Sequence, residues 1–442
     1  MTGQGSSYDA GAQYDYPPLR QARYAQYVLG VIALLATMDA GIVALLLEPM
    51  KHDLGLTDMQ AGIASSTSYS AAYGLMSVPM GLLVDRTNRV RLVFLAMLLW
   101  CTSLGLAASA SGFWTLVLAK LIMGTATAAL LPAALSLFGD YFAPDRRAAA
   151  SATYPFGSIL GGAAAVLAGG LGFDALATIH AADAQALAGL TPWRAVFALA
   201  AVAALPIIGL ILFMREPRRM EMGTPGGGSW RALWAHRDFL VPLLTGVGLL
   251  TGLSTCITTW AAPALMRLYG QQPGDFAGWY AAVTLGSGIV GVAASGRLVG
   301  WAQRNGGYHA VMTPAALAAL LCAPATAMAM APDVRLFAVA MTLFQLAYSV
   351  AIVVPVISIN FRVPNELRGR TFGLYVISSA IGSSLSAPAV AALSGAMGGE
   401  AMLGRAMAGV GAPLALLAAI CLAATMRAGR RENIATVGAA LG

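Results

Sequence analysis

From residue 25 to residue 426 the chain repeats one pattern: an apolar run of about twenty or more residues, long enough to cross a bilayer as a helix, followed by a short polar loop. Twelve such runs are read, at 25–48, 60–84, 91–110, 113–137, 148–171, 194–214, 239–265, 277–299, 309–330, 334–359, 370–394 and 402–426. Within each run the apolar residues are continuous and do not alternate with polar ones, which predicts helices and excludes the strands of a membrane barrel. One internal polar stretch is longer than the rest. Arg215 to Arg237, with the piece Gly223-Thr-Pro-Gly-Gly-Gly-Ser229, separates six runs from six. The expected organisation is a disordered cytoplasmic tail at 1–23, a six-helix bundle at 24–214, a cytoplasmic linker at 215–237, a second six-helix bundle at 238–427 and a cytoplasmic tail at 428–442.

Basic residues orient the spans. With both termini on the cytoplasmic side, twenty of the 26 Lys and Arg fall on that side; Lys51, Lys120, Arg194, Arg267, Arg335 and Arg405 are the exceptions. That asymmetry predicts cytoplasmic termini and a multi-pass protein of a bacterial-type inner membrane. The stretch from Phe173 to Pro192, read as an outer loop, carries Asp174, His180 and Asp183 but no Lys or Arg.

Composition agrees with the pattern: 58% of the 442 residues are hydrophobic and 10% are charged, against about 25% charged in soluble domains. The net charge of +7 is spread through short loops rather than gathered on one face, which argues against nucleic-acid binding. Cys101, Cys256, Cys322 and Cys421 each lie in a separate apolar run, and His52, His180, His236 and His309 have no metal spacing, so neither disulfides nor a metal site is expected. There is no phosphate-cradling GxxxxGK[ST] and no nucleophile elbow, which leaves no cofactor and no enzymatic chemistry to propose.

An internal repeat links the halves. Gly81-Leu-Leu-Val-Asp85-Arg86-Thr-Asn-Arg89 between the second and third runs is matched by Gly296-Arg-Leu-Val-Gly300-Trp-Ala-Gln-Arg304 between the eighth and ninth. Pro144-Asp-Arg-Arg147 with Tyr154 and Gly161 is matched by Pro364-Asn-Glu-Leu-Arg368 with Tyr375 and Gly382. Two parallel six-helix halves explain both matches.

Two charges lie deep inside apolar runs, and each is costly unless it faces protein or water. Asp39 is about 21 Å along the first helix from its cytoplasmic start, and Lys120 about 10 Å along the fourth from its outer start, at 1.5 Å per residue. In a core of about 30 Å both then sit at nearly one depth in the outer half, as candidate partners. Thr127, Tyr69, Tyr73, Tyr154, Trp260, Gln345, Tyr348 and Tyr375 are polar or aromatic positions within runs and candidate cavity-lining residues. Pro132 and Pro355 occupy similar places in the fourth and tenth runs. A cytoplasmic gate is expected from Gly81, Asp85, Arg86, Arg89, Arg146 and Arg147: Gly81 permits close helix approach, Asp85 meets the N-terminus of the eleventh helix near Gly369, and the arginines form ion pairs across the same seam.

The signature Gly81-Leu-Leu-Val-Asp85-Arg86-Thr-Asn-Arg89, with the twelve runs and the repeat, resembles the major facilitator superfamily from Tyr24 to Arg427. Met38-Asp39 with Glu48-Pro-Met-Lys-His-Asp-Leu-Gly-Leu-Thr-Asp58, Ala119-Lys120, Asp140-Tyr-Phe-Ala-Pro-Asp-Arg-Arg147, and Thr259-Trp260 running on to Met266-Arg267 resemble the spinster family of lipid and organic-solute transporters. The resemblance implies an all-α membrane fold of twelve helices in two pseudo-symmetric bundles, with the first and fourth helices lining a central cavity. It implies a monomeric secondary transporter working by alternating access. Asp39, Lys120 and Thr127 fall where that family has its coupling and substrate residues. The chain departs from the family there, carrying Ala40 for a basic residue, Lys120 for an arginine and Thr127 for a glutamate. The combined expectation is a proton-coupled carrier of a small amphiphilic or anionic organic solute; the alternatives are a lysolipid or sphingolipid exporter, an uncoupled facilitator, or a non-transporting receptor or scaffold.

Overall fold

A computed structural model describes residues 16–183, 185–220 and 230–441. Most of the expected N-terminal tail and the Gly-rich part of the linker lie outside the described residues.

Twelve helical spans follow one another: α1 (Leu19–Leu54), α2 (Ser68–Arg86), α3 (Arg89–Ala108), α4 (Phe113–Tyr141), α5 (Thr153–Ala182), α6 (Pro192–Ile211), α7 (Arg237–Tyr269), α8 (Pro273–Gly306), α9 (Thr313–Ala325), α10 (Val334–Arg362), α11 (Asn365–Ala396) and α12 (Leu403–Leu441). Eleven of these spans are long and apolar enough to cross a membrane, α9 together with its flanking turns as Ala310–Met330 and α5 with the helix before it as Pro144–Ala182. The other, α2, is rich in Ser, Tyr and Gly, and it is lengthened by a short helix, Asp58–Gly62, and a π-helical turn, Ile63–Thr67, that run straight into it. Its Ser68, Ser70, Ala72 and Gly74 are buried against protein while Leu75, Val78 and Leu82 are exposed, and π-turns concentrate at functional sites. Most helices overrun the apolar limits read from sequence. α1 begins at Leu19 and α5 continues to Ala182, so Asp174 stands on a helix and not in a loop.

Local chemistry sets the ends. Thr57 and Gln60 form a capping box before the short helix, with Gln60 N donating to Thr57 Oγ1 at 3.2 Å. α1 stops at Gly55, whose φ of 61° places it in the left-handed region and returns its N–H to the Lys51 carbonyl. Asn88 accepts from Arg91 N at 2.8 Å to open α3, and Asp333 accepts from Leu336 N at 2.8 Å to open α10. Pro132 and Pro355 lie inside α4 and α10, neither of which is interrupted.

Because consecutive spans are antiparallel, one face of the bundle carries the start of α1 and the linker (the terminal face), and the other carries the end of α1 (the far face). Within the N-terminal half, α1 and α5 approach through glycine: a Cβ on Gly161 would fall 2.2 Å from both the Leu34 carbonyl and Thr37 Oγ1. Without a hydrophobic drive between helices in lipid, such small-residue contacts carry the packing. Gly157 of α5, four residues before Gly161, abuts the Gly30 carbonyl of α1.

The halves meet along two cross-bundle seams. On the α2–α11 seam, a Cβ on Gly62 would meet the backbone of Ala387 and Pro388 at 3.3 Å, one on Gly74 would meet the Ala380 methyl at 2.4 Å, and Thr67 Oγ1 donates to the Ser384 carbonyl at 2.6 Å. On the α5–α8 seam, a Cβ on Gly170 would fall 2.6 Å from the Ala277 methyl and one on Gly288 3.0 Å from Ile159. Nearer the terminal face, Gly81, Gly296, Gly300, Gly369 and Gly373 all face open space. The glycine contacts that join the halves therefore lie along their far-face portions, and none of these terminal-face glycines makes one.

Candidate functional site

Asp39 and Lys120 meet. Lys120 Nζ on α4 donates to Asp39 Oδ1 at 2.8 Å and Oδ2 at 2.7 Å on α1, and the side chains are 3% and 4% exposed. The Phe197 ring of α6 stands 5.8 Å from Nζ. A small, almost wholly apolar void lined by Val43, Leu47, Met50, Leu116 and Lys120 adjoins the pair on its far-face side. Two charges so placed are each other's main counter-charge, so removing one leaves the other uncompensated in a dry setting.

The pair connects to a cluster of hydroxyls. Asp39 is within electrostatic reach of Tyr69, whose hydroxyl lies 3.2 Å from Thr127 Oγ1; Thr127 in turn donates to the Met123 carbonyl at 2.9 Å. Tyr69 and Tyr73 stack with centroids 6.0 Å apart. Tyr154 on α5 lies near both, and Tyr375 on α11 lies near Tyr73 and Tyr348 on α10. Five tyrosines from both halves thus converge, with Gln345 half-buried one helical turn from Tyr348. Trp260 does not join them. It is fully buried, donates Nε1 to the Ala387 carbonyl at 3.1 Å and ties α7 to α11 as a packing strut.

At the terminal face the expected gate residues separate into two groups. Asp85, Arg86 and Arg146 are exposed, and Arg147 is half-buried. Arg89 departs from the expected seam: it is turned into its own half, 1% exposed, where it pairs with Asp140 of α4 and donates Nε to Glu216 at 2.6 Å. Glu216 also accepts from Val90 N at 2.9 Å, Met220 N donates to Asp140 at 3.0 Å, and Arg219 donates to the Val84 carbonyl at 2.7 Å and the Thr87 carbonyl at 2.9 Å. The first residues of the linker are strapped to the N-terminal half, and Arg89 is the buckle.

An ionic cluster on the far face joins the halves. Arg267, at the end of α7, grips Asp58 with both terminal nitrogens (2.9 and 2.8 Å) and donates Nε to Glu48 of α1 at 2.8 Å. Lys51 bridges Asp58 at 2.7 Å and also contacts Glu400, just before α12, while His52 Nε2 lies 3.0 Å from Glu48. Arg267 and Glu48 are 8% and 6% exposed. Burial by itself would raise the Asp58 carboxyl, but the hydrogen bonds and charge of Arg267 and Lys51 hold it below the ordinary carboxylate range. In the sequence Lys51 and Arg267 stand out as exceptions to the charge asymmetry and within stretches that resemble the spinster family, with no pairing assigned to them. The signal was present in their placement, since acids and bases at helix ends on one face of two different halves are natural partners.

Twelve spans in two halves joined at the far face, with a buried ion pair in one of them, are an arrangement that suits a solute transporter of the membrane. A family model of the Major Facilitator Superfamily matches residues 29–387. The chain belongs to that superfamily: it is an integral membrane transporter, not an enzyme. It is 25% identical over 429 residues to an MFS-type efflux pump of Mycolicibacterium smegmatis, covering 94% of this chain and 96% of that one. It is 27% identical over 265 residues to human Protein spinster homolog 1, a match that spans 56% of this chain and 47% of that protein. In fold it is similar to a bacterial homologue of the human lysosomal transporter Spinster, solved inward-facing and unoccupied, with a TM-score of 0.73, 20% identity and 94% and 98% of the two chains covered.

Proposed function

We propose that the chain is a proton-coupled secondary transporter that carries a small amphiphilic or anionic organic solute by alternating access. The buried Asp39–Lys120 pair supports this reading most directly. A carboxylate whose counter-ion can be claimed by an anionic group of the solute, or displaced by a proton, is a natural coupling element. Protonation of Asp39 frees the Lys120 ammonium to hold the anionic group; release of the solute lets the pair re-form. Thr127 replaces the second acid of the spinster pattern, so one carboxylate carries the coupling and one proton per cycle is the consistent stoichiometry.

The apolar, tyrosine-rich surroundings favour a largely apolar body on the solute. Tyrosine presents a ring to that body and a hydroxyl to a polar group. The terminal face is cytoplasmic on the charge asymmetry, which makes the described arrangement open inward and closed outward. Proton and solute are then held in the same state and travel together, and a monomer in the inner membrane is the working unit.

The test is flux in proteoliposomes against a panel of lysolipids, organic acids and amphiphilic drugs, with and without a pH gradient. Asp39→Asn should abolish gradient-driven accumulation while leaving exchange of solute for solute. Accumulation with unchanged pH dependence in both Asp39→Asn and Lys120→Ala overturns the assignment.

A further inference from the structure

A cross-bundle contact on the far face repeats, in mirror position, the device expected on the terminal face. Asp174, on the last turns of α5, accepts from Gly274 N at 3.0 Å, where Gly274 is the second residue of α8 in the opposite half. The approach is so close that a Cβ on Gly274 would lie 2.0 Å from the Asp174 Oδ2. Only glycine admits the carboxylate there. Four residues away, Gly170 brings α5 against the Pro273 carbonyl at a would-be Cβ distance of 2.8 Å, so the helices are in register for the contact. Asp275, the other acid at this helix start, is turned back to accept from Gln272 N at 2.8 Å and leaves the Gly274 amide to Asp174. Negative charge at a helix N-terminus is favoured by the unpaired amides and the helix dipole.

The terminal face offers the complementary arrangement. α2 and α11 are also an antiparallel pair from opposite halves, so the end of α2, with Asp85, lies on the same face as the start of α11. In the described state that contact is open: Asp85 is exposed and Gly369 near the start of α11 faces open space.

We infer that Asp174 and the start of α8 form the far-face latch of the transport cycle, made when the terminal-face contact of Asp85 with α11 is broken and broken when that contact forms. The inference rests on the alternating-access reading above. Asp174 is a positioning residue: it touches no solute, and it sets the balance between states because its contact exists in only one of them. Rocking that opens the far face must pull Gly274 from Asp174, and water then replaces one charged acceptor.

The test is double electron–electron resonance on reconstituted, otherwise cysteine-free protein. Spin labels at Ser109→Cys and Met330→Cys report the separation of the halves at the far face. The unaltered latch should give mainly the short separation. Asp174→Asn, which keeps an acceptor but removes the charge, should raise the ratio of long to short separation about three- to tenfold. Gly274→Ala, which pushes the carboxylate away, should act in the same direction, and it carries the test if Asp174→Asn does not fold. Asp85→Asn should move the ratio the opposite way, and Asp183→Asn, a charge lost nearby on the same face, should leave it unchanged. A general loss of stability would not reverse sign between two aspartates. If Asp85→Asn shifts the ratio and neither Asp174→Asn nor Gly274→Ala does, the latch is refuted while alternating access stands. If no variant and no condition yields a second separation, the alternating-access reading itself falls.

Discussion

Arg267 ties acids of the N-terminal half to the end of α7 at the far face, and Arg267→Gln is the perturbation that isolates it. Its guanidinium makes two hydrogen bonds to Asp58 and one to Glu48 while only 8% of the side chain is exposed. Removing one partner of a buried ion pair costs about 3–5 kcal/mol, mostly the penalty of a charge left without its counter-ion. Lys51 remains 2.7 Å from Asp58 and offsets part of this. The remainder is about 2–4 kcal/mol, and about 1.4 kcal/mol corresponds to tenfold in a population ratio. When the far face opens, water solvates the same acids, so the loss falls on the closed state alone and the far face should open at least about thirtyfold more often. Ser384→Cys, placed on the α2–α11 seam where Thr67 donates to the Ser384 carbonyl, reads that opening through its rate of alkylation by a membrane-impermeant maleimide. The rate should be low with Arg267 present and more than tenfold higher in Arg267→Gln. Arg267→Lys should fall between, because an ammonium has no planar fork to hold two carboxylates. Glu400→Gln should change little, since Glu400 is 53% exposed. Equal alkylation rates in Arg267→Gln and the parent would refute the idea that this cluster holds the halves together.

Three further outcomes follow from the geometry. Lys120→Met should lower the thermal stability of the detergent-solubilised protein by several degrees by stranding Asp39, and Asp39→Asn added to it should restore most of the loss; a double variant no more stable than the single one would contradict a mutually dependent pair. Because the closed far face holds Asp58 below its ordinary range, its contribution is complete above that ordinary value, about 4, and is lost as pH falls through the lowered closed-state value. The ratio of long to short separation between the far-face spin labels should thus be flat in pH on account of Asp58 from about pH 5 to 8 and rise only in stronger acid. Arg89→Gln should release the strap formed by Glu216 and Arg219, seen as faster proteolysis in the linker with the spans intact; unchanged cleavage would show that the strap does not depend on Arg89.

Periodicity alone carried most of the fold into view. A membrane span must satisfy its own backbone, so twelve long apolar runs leave little choice but helices, and the matched Gly81 and Gly296 stretches announce the duplication. Asp39 and Lys120 were legible for a related reason: a charge in an apolar run needs a partner, and helix rise places these two at one depth. Arg89 was misleading because a basic residue in a loop motif has the same signature whether it faces the other half or its own linker. The partners that decide between them, Asp140 and Glu216, are separated from it by 51 and 127 residues. Asp174 was hidden by the convention that a span ends where apolarity ends. In a bundle the helix continues past that point, and its last turns are where one half reaches the other.

Asp39 and Lys120 are the deepest charges of the N-terminal spans, and as a bound pair they sum to zero. An empty carrier swinging between faces would then drag no net charge through the electric field, so its return stroke should be indifferent to membrane voltage. Adding a proton to Asp39 leaves the ammonium unbalanced, and each elementary charge moved across the field is worth about 2.3 kcal/mol per 100 mV. An anionic solute docked against Lys120 would cancel that surplus again, so the sign of the current recorded during transport would report the charge of the cargo.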